Sequence, residues 1–214
     1  MISIDFHTHT LASKDSLTSP EKLLAAARRK GLDRLVVTDH NTITGAVAAH
    51  ALDPESFIIG EEIKTSCGEI LAAYMTEAVP AGLSPQETVR RLRDQGAFIS
   101  VSHPFDVRSG AWTMENLLEI APLVDAIEVF NARIMKADAN TLAAEFASSH
   151  HLPGTVGSDA HAAFELGVCR LELPPFDGPE GLRAVIHQGR IKGRLSPWWV
   201  HFASFYARWR KSVV

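Results

Sequence analysis

Histidines in this chain fall where metal chemistry would need them. His7-Thr8-His9 closes a short apolar run, and far along the chain Ser158-Asp159-Ala160-His161 closes another. A strand repeats every two residues, so His7 and His9 share a face, as do Asp159 and His161. Asp39-His40, Glu62 and Ser102-His103-Pro104 end three further runs. A lone histidine is ordinarily a satisfied core or surface side chain. Here five of the ten histidines, with Asp39, Glu62 and Asp159, occupy the same ends of successive runs. Burying so many titratable groups together without a metal would be costly, so metal binding is the expected chemistry. His50, His150, His151, His187 and His201 fall in helices or loops and are read as structural or exposed.

The elements that must position these residues read as alternating strands and helices, the pattern of βα units around a parallel sheet. Strands are predicted over residues 2–7, 34–39, 57–62, 70–75, 97–103, 126–131 and 154–159. Ser19-Pro20 and Ser84-Pro85 are helix starts, with Gly31 and Gly96 as stops,. Further helices are expected over 136–150 and 179–188. Seven units imply an α/β fold closed as a barrel, whose strand C-termini open on one mouth, where sites of such folds are built.

With 214 residues and 46% hydrophobic content, the chain has enough material for one self-sufficient core,. Cys67 and Cys169 are expected as free thiols of a reducing compartment,. The opening MISIDFHTHT lacks the basic and apolar regions of a signal peptide, and no run is apolar enough for a membrane span, so a cytoplasmic location is expected,. Residues 183–214 carry seven Lys/Arg and no acid, within a net charge of -4. Trp198, Phe202, Phe205 and Trp209 form one helical stripe, read as a packed face,. Arg208, Arg210 and Lys211 beside it leave nucleic-acid or membrane contact, or self-association, as alternatives.

The order HTH, TDHNT, GEEIKT, SHP, VFN and GSDAH resembles the PHP family, the polymerase and histidinol phosphatase superfamily of metal-dependent phosphoesterases. The likeness runs from Ile2 to about Leu173 and extends to Ser13-Lys14-Asp15-Ser16 in the first motif. It implies a distorted (β/α)7 TIM-like barrel over residues 1–175, with residues 176–214 as a helical extension packed on it. It further implies two or three divalent ions. His7, His9, Glu62 and Asp159 would hold one. Glu62 would bridge to a second that also has His103, and Asp15, His40 and His161 would hold a third. Asn131 stands where several family members have a further histidine, so the second site is expected to be weaker or completed by water. Glu61 is expected to point away. Imidazole and carboxylate ligands without thiolate suit manganese, zinc or iron.

Such a cluster would hydrolyse phosphoesters, with Glu62 as the bridge. Arg133 and Arg108 are candidates to grip non-bridging oxygens, since guanidinium matches phosphate geometry. Asp39 is expected to orient His40 or another ligand, and His161 or His103 to assist proton transfer. The expected partner is a small phosphorylated metabolite or nucleotide. A nuclease acting on short oligonucleotides and a histidinol-phosphatase-like enzyme are the alternatives, and retention of the whole ligand set argues against a non-catalytic metal-binding module.

Overall fold

The computed structural model describes residues 1–108 and 112–213, and Val214, the last residue of the expected extension, lies outside them. Strands β1 (Ile2–Thr8), β2 (Arg34–Val37), β3 (Phe57–Lys64), β4 (Glu69–Ala73), β5 (Phe98–Val101), β6 (Ala126–Asn131), β7 (Gly154–Gly157), β8 (Cys169–Leu173) and β9 (Arg190–Gly193) form one sheet. Their order is β7-β6-β5-β4-β3-β2-β1-β8-β9. The sheet curls until it nearly closes. One edge of β1 pairs with β2, while the other pairs with β8 through Ile2–Ile4 and then meets the end of β7 in a parallel bridge between Thr8 and Ala160.

Helices α1 (Pro20–Lys30), α2 (Thr44–Leu52), α3 (Pro85–Asp94), α4 (Met114–Ile120), α5 (Ala137–Ser149), α6 (Gly178–Val185) and α7 (His201–Ser212) accompany the sheet. The Ser-Pro starts act as expected. Ser19 and Ser84 accept backbone N–H groups from Lys22 and Glu87, at 3.4 and 3.2 Å, satisfying donors that a first turn leaves open,. Fully buried Ile4, Phe57, Ile63, Ile70, Phe98, Ile99 and Ile127 form much of the core, each burial contributing about 1.5–3 kcal/mol before entropy.

The sheet is not wholly parallel. Strand β4 runs antiparallel to β3 and β5, and β8 antiparallel to β1 and β9. Four residues, Thr65 to Gly68, join β3 to β4, whereas a parallel crossover needs a dozen or more. Antiparallel pairing is the only option for so short a link. The start of β4 therefore sits at the mouth with the ends of its neighbours. Strands β8 and β9, and helices α2 and α4, go beyond the elements read from the sequence.

The aromatic stripe of the C-terminal helix does not pack. Trp198, Phe202, Phe205 and Trp209 are each more than half exposed, and Ser204 and Ala207 are the buried residues of α7. The opposite, polar face lies on the protein because it finds partners there. Ser204 Oγ accepts from Arg133 at 2.8 Å, and Lys211 Nζ donates to the carbonyl of Ser13 at 2.6 Å. Small Ser204 and Ala207 permit the close approach. No helix among the described residues is long and apolar enough to cross a membrane.

Candidate metal centre

His7 is the only imidazole of the cluster that lies within a strand. His9, His40, His103, Asp159 and His161 stand in the loops just beyond β1, β2, β5 and β7, and Glu62 lies within β3. The convergence of Asp159 and His161 is thus not strand alternation. Asp159 adopts a left-handed backbone, φ 52°, an uncommon conformation for a residue other than glycine and one held where surroundings dictate it. Gly157 lets β7 approach the cluster, since a Cβ there would lie 2.2 Å from that of His7 and 2.4 Å from Glu128 Oε1.

Four side chains surround one point. His7 Nε2 lies 3.2 Å from Glu62 Oε2 and 3.6 Å from Asp159 Oδ1, and His9 Nε2 lies 3.6 and 3.2 Å from the same atoms. Asp15 Oδ1 lies 3.3 Å from His161 Nε2 and 3.5 Å from His40 Nε2, while His40 Nδ1 is 2.9 Å from Glu62 Oε2. His103 Nε2 is 3.0 Å from Glu62 Oε1. Glu62 is therefore central to every group.

The outer nitrogens fix which way the inner ones face. His7 Nδ1 is 3.0 Å from Glu128 Oε1. His9 Nδ1 is 3.1 Å from Ser13 Oγ, whose own proton goes to Asp39 Oδ1 at 2.6 Å. In each neutral ring the outer nitrogen donates, leaving a lone pair on Nε2. Both Nε2 atoms are buried without a hydrogen-bond partner among the described residues, as is Asp15 Oδ1. Lone pairs facing carboxylate oxygens repel unless a cation stands between them, and separations above 3 Å are the edges of a polyhedron with metal bonds of about 2.1 Å. The donor set fits a divalent ion.

Electrostatics agree with that fit. Burial opposes a charge on His7, but Glu62, Asp159 and Glu128 outweigh it and hold its pKa well above the ordinary value. Burial likewise resists, and the same kind of carboxylate pairing overcomes it, at His40, raised to about 11, and His103, raised to about 9. His9 goes the other way, pulled down by burial and by His161 and His40 beside it. Against burial, the surrounding imidazoles hold Glu62 and Asp159 well below the carboxylate range. In the metal-free protein the ionised carboxylates thus favour protonated imidazoles where an ion would sit,.

The other expected site residues are placed as follows. Asp39 accepts from the backbone N–H and hydroxyl of both Thr10 and Ser13, so it reaches His9 through Ser13 instead of orienting the His40 ring. Glu61 faces away from the cluster, where its Oε2 accepts the Val79 N–H at 3.0 Å and burial pushes its pKa up to about 7. Arg108 is exposed at the rim. Arg133 lines the same cavity but is buried, paired with Glu165 at 3.0 Å and donating to Ser204. Asn131 borders the cluster, with its Nδ2 donating toward Glu128 and Asp159.

Sequence reading missed four participants. Glu128 lies within β6, with no motif of its own, yet its Oε2 also accepts the His103 backbone N–H at 2.8 Å. Glu69 reaches the mouth through the antiparallel β4. His201, first read as structural or exposed, and Arg208 line the cavity from α7, and Arg208 Nη1 lies 3.2 Å from Asp15 Oδ2. The tail does reach the mouth. The whole cavity measures about 610 Å³, within the usual range for small-molecule sites.

The chain is similar to known proteins in sequence and in fold. The PHP domain family matches residues 5–85, and the PHP-associated family matches residues 137–191. The protein MJ0417 of Methanocaldococcus jannaschii is 36% identical over 170 residues, covering 78% of this chain and 68% of that one. The crystal structure of PsfC from Pseudomonas syringae PB-5123 superposes with a TM-score of 0.70 at 18% identity, covering 100% of this chain and 99% of that one. A putative metal-dependent phosphoesterase from Bifidobacterium adolescentis gives a TM-score of 0.63 at 17% identity, covering 75% and 88%.

Proposed function

This chain belongs to the PHP family, and from that premise we propose that it is a metal-dependent phosphoesterase acting on a small phosphorylated metabolite or nucleotide. The observation that carries the reading is the pair of buried, unpartnered nitrogens, His7 Nε2 and His9 Nε2, set against Glu62 and Asp159 on the floor of an open cavity. His7, His9, Glu62 and Asp159 would hold one ion, Glu62 and His103 would serve a second, and Asp15, His40 and His161 would hold a third. Manganese, zinc or iron held there would supply hydroxide at neutral pH and offset charge at phosphorus.

The chain's own groups do the rest. Glu62 fixes the spacing of the sites, because its two oxygens face different histidines. Arg108, exposed at the rim with its guanidinium against Met135 Sδ, grips a non-bridging oxygen as the substrate enters,. Arg133 holds the wall in shape through Glu165 and Ser204 and presents its positive charge to the same space. As an alternative to holding an ion, His161 or His103 passes a proton to the leaving oxygen.

One observation favours a second reading, hydrolysis of short oligonucleotides: α7 carries Arg208 to the cavity wall. Binding that falls steeply with salt distinguishes it. The deciding experiment is a turnover screen of phosphomonoesters, cyclic and linear diesters and short oligonucleotides with manganese, zinc or iron supplied. The expected result is metal-dependent release of phosphate or nucleotide, abolished by a chelator. A fully metal-loaded protein inert toward every phosphoester class overturns the proposal.

A further inference from the structure

The second metal site needs a protein ligand that Asn131 does not provide. Asn131 Oδ1 accepts the backbone N–H of Arg133 at 2.9 Å, a donor that only the amide oxygen can satisfy. Its Nδ2 then faces inward, toward Glu128 Oε2 at 3.3 Å and Asp159 Oδ2 at 3.4 Å. An amide N–H carries no lone pair for a cation and repels one. Turning the amide over would place N–H against N–H at Arg133 and leave that buried donor unpaired, which costs about 1–3 kcal/mol.

Glu69 is a second acidic side chain beside His103. Its Oε2 lies 3.6 Å from His103 Nε2, and His40, Glu62 and Glu69 each offer a ligand atom within 4.8 Å of the others. The carboxylate is mostly buried, with the side chain 15% exposed, and it lines the cavity. It gets there because the Thr65–Gly68 link reverses the chain, so that the first residue of β4 lies level with the mouth. A carboxylate so enclosed beside Glu62 repels it unless positive charge lies between them.

We infer that Glu69 is a protein ligand of the second ion, completing with His103 and Glu62 the site that Asn131 cannot serve. The inference rests on the metal centre proposed above. The site then holds one imidazole and two carboxylates, a harder donor set than one with two imidazoles, which narrows the advantage of zinc over manganese or ferrous iron.

The test is metal content by elemental analysis after reconstitution of the full chain with manganese and removal of free metal. Glu69→Gln keeps the size of the side chain and removes its charge. It is expected to hold one ion per chain fewer than wild type, or to hold that ion at least tenfold more weakly, while its melting temperature in chelator stays at the wild-type value. Glu69→His is expected to restore the count and to shift preference toward zinc. A Glu69→Gln chain with the wild-type ion count and affinity overturns the inference while leaving the metal centre standing. A variant that loses every ion also overturns it, since Glu69 then supports the whole centre and not one site. A wild-type chain that holds fewer than two ions overturns the metal-centre reading, and the inference with it.

Discussion

Glu128 Oε1 meets His7 Nδ1 at 3.0 Å, both side chains being fully buried, and the other oxygen of the same carboxylate holds the backbone of His103. One side chain on β6 therefore holds both His7 and His103, the residues proposed above to serve two different ions. Glu128→Ala should weaken metal binding by about 10- to 100-fold, the usual effect of removing such an outer partner. Competition with a chelator measures it. Unchanged affinity would show that His7 is oriented by packing alone.

Glu62 touches His7, His9, His40 and His103. Glu62→Gln should reduce phosphoester turnover by at least the same 10- to 100-fold, with a smaller effect on folding. Wild-type turnover in a folded Glu62→Gln chain would remove the bridge from the mechanism.

Metal uptake should release protons. His40 and His103 carry pKa values raised to about 11 and about 9 in the metal-free protein, so at pH 7 each holds a proton that must leave for an ion to bind, and His7 is shifted in the same direction,. Affinity should therefore rise with pH from 7 toward 9. Calorimetry in buffers of different ionisation enthalpy counts the protons, and two or more per fully loaded chain are expected. Release of none would mean that the imidazoles are already neutral.

The buried Arg133–Glu165 pair ties the mouth to α7. Arg133→Leu leaves the Glu165 charge without its partner and should cost roughly 3 kcal/mol. Burial pushes the Glu165 pKa up to about 7, so the stranded carboxylate is neutralised in acid. The cost should be small at pH 5 and grow as pH rises through 7. Chemical denaturation at both pH values tests this, and an equal loss at each would assign the cost to lost packing.

The outward stripe of α7 should contribute little to stability. Phe205, 66% exposed, should tolerate Phe205→Ser within about 0.5 kcal/mol,. Ala207, 2% exposed on the inward face, should lose about 1–3 kcal/mol on Ala207→Leu through overpacking,. Thermal melts that reverse this order would place the aromatic face against the barrel.

By itself the sequence determined the alternation of strands and helices, the Ser-Pro helix starts, and the set His7, His9, His40, Glu62, His103, Asp159 and His161 that the fold brings together. Local signals suffice for these, because apolar periodicity and strand-end position are properties of short stretches. Tertiary structure alone decided which way β4 runs, and hence that Glu69 stands at the mouth. It also decided that Asn131 spends its oxygen on Arg133, and that Asp39 acts on His9 through Ser13. Glu128, which reads in the sequence as one more residue of a strand, is a partner to two ligands only once β1, β5 and β6 lie side by side. The face that α7 buries was misread for the same physical reason. Hydrophobicity predicted burial of Phe202 and Phe205, but the surface available to the helix offered a guanidinium and loop carbonyls, and a polar face finds its hydrogen bonds there.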